Sequence, residues 1–296
     1  MTDFNPRRFQ AVPPVVKNII IVNVLMVVAQ YVLWHSALRI DLADWLGLHY
    51  WKSNQFKIWQ LVTHIFMHGS AQDVNLTIMH IASNMIGLWI FGSILENIWG
   101  SKRFFTFYMV CGIGAALCHL GVLHYEYSLL ERSFSQYQQS PTLDHFIQFL
   151  QQNVTNGVQD PDKVNNILRA WQQSPGSVSQ SNESIAWINK YLHGYYANGA
   201  YVKGIFDEAT VGASGAVFGV LFAFGYLFPN TELMFIFLPI PIKAKYVVAM
   251  YAAFELFSGI RNTAGDNVAH FAHLGGMLFA FILLKIWNRT RRNDFY

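Results

Sequence analysis

A small set of polar side chains able to do chemistry lies within the apolar stretches of this sequence. Ser214, in the segment Gly212–Gly215, and His273 fall in two long uncharged runs. A third run holds His80 and Asn84, four residues apart and so on one face of a helix. Such groups are costly inside hydrocarbon, which makes them candidate functional residues. Because a histidine can take the proton of a serine hydroxyl near neutral pH, the set indicates acyl transfer.

Acyl transfer also needs hydrogen-bond donors directed at the negative charge that develops on the carbonyl oxygen. The candidates are the amide of Asn84, a ring nitrogen of His80 and the backbone N–H of Ser214, which we expect near a helix start. Glycine at Gly212 and Gly215 lets a substrate backbone come close to the serine. These residues predict an oxyanion hole around the serine.

His80, Ser214 and His273 fall at one depth if acidic residues mark the boundary of the membrane. Each lies seven residues after an acid: His80 after Asp73, Ser214 after Asp207 and His273 after Asp266. Seven helical residues span about 10 Å, so all three are expected on a shared plane. No acid stands at that depth to complete a triad, since Asp266 is expected to cap its helix. The prediction is a Ser214–His273 dyad.

The composition of the whole chain supports a membrane setting for these residues. Of 296 residues, 53% are hydrophobic and only 12% are charged, about half the proportion usual in soluble domains. The net charge of +3 is too small to indicate nucleic-acid binding. The composition therefore disfavours a soluble enzyme, a DNA-binding protein and a disordered chain.

The positions of the charges divide the chain into spans. Five runs of 18 to 23 residues carry no charge, and a sixth carries one, Glu255: Asn18–Leu38, Val74–Leu95, Phe104–Tyr125, Ala209–Thr231, Tyr246–Ile260 and Asn267–Leu284. A membrane-spanning helix needs roughly 20 apolar residues. The fold class predicted is an all-α, polytopic membrane protein with six transmembrane helices.

Lysine and arginine residues in the short flanks orient the spans. They fall in alternate segments, at 7–17, 102–103, 243–245 and 285–292. Both termini are therefore predicted to be cytoplasmic, in a multi-pass protein of the cell membrane. The first loop, 39–73, is rich in aromatic residues and is expected in the outer membrane interface.

A polar segment interrupts the membrane domain. The predicted divisions are 1–125 for the first three spans, 126–206 for an extracytoplasmic insert, 207–288 for the last three spans and 289–296 for a basic tail. Three short amphipathic helices are predicted in the insert, beginning at Ser140-Pro141, Asp160-Pro161 and Ser181. The insert is either a helical elaboration of one loop or a surface that binds a partner or substrate.

Small residues recur at every fourth position in two of the spans. They are Gly215, Gly219 and Ala223 in span 4, and Ala272, Gly276 and Ala280 in span 6. Such stripes let helix backbones approach closely in a membrane. Ser214 adjoins one stripe and His273 the other, so the stripes either bring this pair together or serve packing alone.

The combined pattern resembles the rhomboid family of intramembrane serine proteases, over about residues 15–125 and 207–288. The segments that carry the resemblance are G-x-S-G at Gly212–Gly215, H-x-x-x-N at His80–Asn84, and A-H-x-x-G at Ala272–Gly276 with Ala280 at the position of a final glycine. The resemblance implies a six-helix protease whose active site opens to the extracytoplasmic side.

By the same resemblance, Ser214 is the nucleophile, His273 the general base, and His80, Asn84 and the Ser214 N–H the oxyanion hole. Gly212, Gly215, Phe218, Gly276 and Ala280 are implied as supporting residues, with Phe218 stacked on the catalytic histidine in place of a more common tyrosine. His64 and His68 resemble structural first-loop histidines. The resemblance implies transmembrane protein substrates within the lipid bilayer, and no cofactor, metal or nucleic acid.

Several positions depart from the family pattern or have no role at this stage. Gln60 replaces an expected arginine of the first loop, and Glu96 matches an acid that we expect to tie down the next loop. His270 is interpreted as a rim or packing residue whose replacement by alanine keeps activity. Glu255 has three open interpretations: interfacial, water-exposed, or part of substrate gating.

Two rival functions remain open from the sequence. A rhomboid-like pseudoprotease that binds spans without cutting them should lack the serine or the histidine, whereas both are present. A small polar-solute transporter should show inverted repeats with paired broken helices, and the sequence has no such pairs.

Overall fold

The computed structural model describes residues 9–70, 72–154, 160–197, 199–235, 238–261 and 269–293. In chain order its helices are α1 (Pro14–His35), α2 (Ala43–Leu46), α3 (Gln60–Thr63), α4 (Val74–Gly87), α5 (Ser93–Trp99), α6 (Ser101–Gln139), α7 (Leu143–Asn153), α8 (Pro161–Gln173), α9 (Val178–His193), α10 (Ser214–Leu227), α11 (Ala244–Arg261) and α12 (His270–Asn293). A π-helical turn at Leu88–Gly92 joins α4 to α5. Short 3₁₀ helices lie at His64–Phe66 and Ile205–Asp207. The described residues also form two antiparallel hairpins, β1 (Tyr195–Ala197) with β2 (Ala200–Val202) and β3 (Glu232–Phe235) with β4 (Leu238–Lys243).

The prediction of an all-α polytopic bundle is confirmed, and a helix coincides with each of the six predicted spans. Four stretches are long and apolar enough to cross a membrane: Pro14–His35, Val74–Trp99, Ser101–Gln139 and His270–Asn288. Of the other two, α10 is apolar but only 14 residues long, and α11 contains three charged residues. The described helices can cross hydrocarbon because their backbone polar groups are bonded within each helix.

The outer surface of the bundle is apolar. Leu25 and Val32 of α1 and Phe254 of α11 each leave more than half of their side chains exposed. The central helix α10 is largely buried, and its buried residues include Ala216, Val220 and Ala223. Small residues inside and large apolar residues outside are the arrangement expected where lipid, and not water, surrounds the helices.

Glu96 connects the beginnings of two helices at one end of the bundle. Its buried carboxylate accepts hydrogen bonds from the backbone N–H groups of Val15 and Val16, at 2.9 and 2.8 Å, and from the Ser101 hydroxyl at 2.7 Å. The acid thus satisfies the free N–H groups at the start of α1 and holds the first residue of α6. The expected tie to the following loop is present, together with a second tie to α1.

Helix α6 extends far beyond a single span. Its 39 residues measure about 58 Å, whereas the hydrocarbon core is about 30 Å thick. The predicted boundary at residue 125 therefore falls inside one continuous helix. The outer part of α6 supplies Phe134 and Tyr137 to an apolar cluster with the insert helices, whose buried members include Phe146, Phe149, Ile167, Trp171 and Ile188.

The insert is also bonded to the first loop. Ser53 donates a hydrogen bond of 2.6 Å to Asp207, and Lys203 forms an ion pair with Asp44. Tyr50, buried, packs its ring against Phe206 at 6.0 Å between centroids. These contacts join segments about 150 residues apart, so the insert is packed onto the membrane domain.

Local capping explains where the insert helices begin. Asp160 accepts a hydrogen bond from the Lys163 N–H before Pro161, as predicted for α8. The first insert helix instead uses Thr142, which accepts from the His145 N–H, so the prediction of Ser140 as its cap is wrong. The third begins at Val178, three residues before the predicted Ser181.

Candidate active site

Ser214 is the first residue of α10, and the backbone before it adopts a conformation that favours glycine. Gly212 has a φ of +144°, and its N–H donates to the His64 carbonyl oxygen at 3.0 Å. A Cβ atom at Gly212 would lie 3.2 Å from the His80 ring and 3.4 Å from the Ser214 hydroxyl. The missing side chain therefore leaves space beside the serine hydroxyl.

His273 lies one helical turn inside α12 and faces that hydroxyl. Its Nε2 atom is 2.8 Å from the Ser214 Oγ, a hydrogen-bond distance. The Phe218 ring stacks on the imidazole, with centroids 4.2 Å apart and planes 8° from parallel. A serine and a histidine 59 positions apart are thus held in the geometry required for proton transfer.

The two stripes of small residues face each other where α10 crosses α12. A Cβ atom on Gly276 would lie 1.9 Å from the Gly215 carbonyl oxygen, and one on Gly219 would lie 3.0 Å from the Gly276 carbonyl oxygen. Ala280 is completely buried further along the same face. Two helix backbones can approach this closely only where no side chains lie between them. Their approach brings His273 to Ser214.

The other two predicted site residues lie on α4. The Asn84 side chain is buried, and its amide nitrogen has no hydrogen-bond partner among the described residues. His80 lies next to Gly212, and its ring packs edge-on against His68 with centroids 5.1 Å apart. A buried donor without a partner is costly unless something else uses it, which makes Asn84 a candidate for binding a transient oxyanion.

The expectation that no acid lies near His273 is wrong. The buried Glu255 of α11 places its Oε2 atom 2.9 Å from His273 Nδ1 and 2.6 Å from His270 Nδ1. Depth along each span gives no sign of this acid, because Glu255 reaches His273 sideways from a neighbouring helix. The signal that could have found it is that Glu255 is the one charge inside the predicted fifth span.

The structure places His270 in this cluster as well. Its side chain is buried, and its Nδ1 atom lies at hydrogen-bond distance from the carboxylate that also contacts His273. The interpretation of His270 as a rim or packing residue is therefore replaced by one in which it belongs to the site. Glu255 is buried, so the water-exposed interpretation is wrong.

A comparison with known protein families matches the segments of the chain that form this site. A family model described as the Rhomboid domain matches residues 55–133 and 182–289, which contain all four predicted site residues. The chain belongs to the rhomboid family. This is a family of intramembrane serine proteases, which agrees with a serine and a histidine in contact among apolar helices. No curated protein matched the chain.

The gap in the rhomboid match coincides with the insert. Residues 134–181 are unmatched, and they contain the outer end of α6, all of α7 and α8 and the beginning of α9. The match therefore leaves out α1 and covers the membrane helices of this rhomboid protein from α4 onward, on both sides of an elaboration that packs onto α6.

The acids used as depth markers have structural roles in the described part of the chain. Asp73 caps α4 by accepting from the Leu76 N–H, and Asp207 accepts hydrogen bonds from Ser53 and Tyr201. Asp266, the third marker, lies outside the described residues. The shared depth of Ser214 and His273 rests instead on their direct contact.

The first loop supports the segment before the serine. Gln60, at the position of an expected arginine, is buried and donates to the Gln55 carbonyl oxygen while accepting from the Lys57 N–H, both at 3.0 Å. The His64 ring contacts the Gln60 carbonyl oxygen at 2.7 Å, and the His64 carbonyl holds Gly212. A glutamine thus takes over loop-fixing contacts in this rhomboid protein.

Proposed function

We propose that this protein is an intramembrane serine endopeptidase that cleaves transmembrane-anchored protein substrates in or near the bilayer. The observation that carries the proposal is the 2.8 Å contact between Ser214 Oγ and His273 Nε2 inside an apolar helix bundle. Membership of the rhomboid family supports the same reaction class.

The proposed reaction uses Ser214 as the nucleophile and His273 as the general base. The hydroxyl proton passes to His273 Nε2 as Oγ bonds to the scissile carbonyl carbon, giving a tetrahedral intermediate. His273 then returns that proton to the departing amine nitrogen as the C–N bond breaks. Water, deprotonated by the same ring, hydrolyses the acyl-enzyme and releases the second product.

Three donors are proposed to stabilise the oxyanion: the Asn84 amide, a ring N–H of His80 and the backbone N–H of Ser214. The N–H groups of the first helical turn have no partner within the helix, and Ser214 begins α10. The free amide of buried Asn84 supports this assignment. These groups would act mainly on the transition state, where the negative charge appears.

The depth of the proposed site follows from the length of α10. Fourteen residues measure about 21 Å, so a helix ending at one membrane boundary begins well below the other. Ser214 would therefore attack a peptide bond within the membrane. A substrate helix is proposed to enter sideways between α4 and α11, whose outer faces expose Ile78, Met79, Phe254 and Phe257 to lipid.

The proposed orientation places both termini in the cytoplasm of a cell whose plasma or inner membrane holds the protein. The insert and the first loop then lie on the extracytoplasmic side, from which the site opens. The charge pattern supports this, since the short flanks at 7–17, 102–103, 243–245 and 285–292 hold the clustered basic residues.

The alternative is a pseudoprotease that binds transmembrane segments without cutting them. A purified preparation in detergent, incubated with a model single-span substrate, separates the two functions. Wild type is expected to cleave, while Ser214→Ala and His273→Ala are not. Cleavage that persists in Ser214→Ala would contradict the proposed nucleophile, and binding without cleavage by wild type in several lipid compositions would favour the pseudoprotease.

A further inference from the structure

Glu255 is a buried carboxylate inside the membrane domain, and two imidazole rings face it. Its Oε2 atom is the one that approaches both His270 Nδ1, at 2.6 Å, and His273 Nδ1, at 2.9 Å. A charge buried in an apolar bundle is strongly unfavourable unless it is paired and hydrogen-bonded. Because even a well-paired buried charge adds little to stability, Glu255 indicates a use other than packing.

The contact determines which nitrogen of His273 carries the proton. A carboxylate accepts hydrogen bonds and does not donate them, so the Nδ1 atom that faces it carries the hydrogen. The lone pair of the neutral ring then lies on Nε2, the atom 2.8 Å from the Ser214 hydroxyl. That is the tautomer a general base needs in order to take the serine proton.

A metal ion is a second possible use of the same three side chains. Their ligand atoms lie within 4.8 Å of one another, and two histidines with one glutamate form a known zinc set. However, two ligands bound tetrahedrally to one zinc at about 2.0–2.1 Å are about 3.3 Å apart. The two observed N···O distances, 2.6 and 2.9 Å, are shorter than this and lie in the range of hydrogen-bond lengths.

We propose that Glu255 is a positioning residue for His273, which extends the Ser214–His273 pair to a Ser–His–Glu triad, with His270 holding the carboxylate in place. This inference rests on the proposed protease function. Glu255 fixes the ring tautomer and stabilises the imidazolium that forms when His273 accepts the serine proton. It does not itself take up that proton.

The alignment in the resting structure fits a contact that strengthens during the reaction. His273 Nδ1 is buried and has no well-aligned hydrogen bond among the described residues, although Glu255 Oε2 is only 2.9 Å away. Catalytic hydrogen bonds are often poorly aligned without substrate and tighten in the complex. Positive charge on the His273 ring would attract the Glu255 carboxylate and improve the alignment of this hydrogen bond.

The activity test compares Glu255→Gln, Glu255→Asp and the matched control Glu131→Gln, whose carboxylate is at the surface in an ion pair with Lys52. We expect Glu255→Gln to lower kcat by about 100-fold or more with a much smaller change in KM. Glu255→Asp should recover part of this loss because it keeps the charge, and Glu131→Gln should match wild type.

The pH profile separates positioning from a purely structural role. Besides Glu255 and His270, His80 of α4 and His119 of α6 interact electrostatically with His273. The three histidines remain in Glu255→Gln, so removing the carboxylate alone should move the acid limb of kcat/KM to lower pH. An unshifted limb, or a Glu255→Asp variant no better than Glu255→Gln, would overturn the proposal.

A spectroscopic test is independent of turnover. In Ser214→Ala protein with ¹⁵N-labelled histidine, NMR should show His273 protonated at Nδ1, with a ring proton that resonates at low field. This low-field signal should be absent from the double variant Ser214→Ala/Glu255→Gln. If NMR gives this result but the wild-type protein does not cleave, the protease function is rejected while the assignment of the His273 tautomer stands. Protonation at Nε2 would overturn the proposal, as would wild-type activity that EDTA abolishes and Zn²⁺ restores.

Discussion

At the scale of single residues, the site joins groups from four different helices. Ser214 and His273 meet through α10 and α12, Asn84 belongs to α4, and Glu255 comes from α11. Each is buried or partly buried in an apolar setting where an unused polar group is unfavourable. The absence of bulk water therefore explains both why these polar groups are energetically unfavourable and why they can carry out the chemistry.

Asn84 offers a test in which activity and stability should change differently. Replacing it in Asn84→Ala should lower kcat about 100- to 1000-fold with little change in KM, because the donor is needed mainly in the transition state. The melting temperature in detergent should not fall in proportion, since the amide nitrogen makes no hydrogen bond with the residues that the structure describes.

Kinetics on the model substrate and a thermal melt of the same preparation give both numbers. Asn153→Ala, in the insert, is the control and should leave kcat unchanged. A wild-type kcat for Asn84→Ala would remove this residue from the proposed oxyanion hole.

At the scale of helices, the crossing of α10 and α12 determines the geometry of the pair. Gly276→Ala would place a methyl group 1.9 Å from the Gly215 carbonyl oxygen, which the backbone can relieve only by separating the helices. We expect a lower melting temperature and, because Ser214 and His273 move apart, loss of most activity. Both are read from purified protein in the same detergent.

Gly121→Ala is the matched control for this substitution. Gly121 lies within α6, and a methyl group there would meet no atom of the described residues within 4 Å. The change should be neutral, or stabilise by up to about 1 kcal/mol through helix propensity. Equal losses in the two variants would show that the close crossing is not the cause.

The first loop contains a titration that should affect stability. His49 is fully buried there, and desolvation lowers its pKa below 6.5. Hydrogen bonds to Gln60 and Gly47 and the charge of Asp44 oppose this lowering of the pKa, whereas the charge of Lys203 adds to it. Because the unfolded chain binds this proton more readily, the contribution is complete above about pH 6.5 and is lost as pH falls below it.

Melting temperatures at several pH values test this assignment. The decrease between pH 7 and 5 should be smaller in His49→Gln than in wild type. His145→Gln, which removes an exposed ring of the insert, should follow the wild-type curve. An identical pH dependence in all three proteins would contradict it.

At the scale of the whole molecule, the sequence predicted the elements better than their lateral contacts. Five uncharged runs and one run with a single charge located six helices, because charges are rare within hydrocarbon. Gly276 and Gly215 indicated a close crossing for a similar reason, since small residues every fourth position have few other uses. The residues Ser214 and His273 followed from their positions within those runs.

The contacts that the sequence did not predict join residues far apart in the chain. Glu255 reaches His273 across a helix interface, and its register against α12 depends on how the two helices pack, which spacing along one span does not encode. The same holds for the contact of Ser53 with Asp207 and for the continuation of α6 past residue 125 into the insert.

The central claim is that Ser214 is a nucleophile activated by His273. The most direct measurement is intact-protein mass analysis, with peptide mapping, after incubation with a fluorophosphonate. We predict one adduct on Ser214 in wild type, none in Ser214→Ala and strongly reduced labelling in His273→Ala. Ser83→Ala, which removes an exposed hydroxyl on α4, should label like wild type. An adduct on another residue, or labelling that persists in Ser214→Ala, would contradict it.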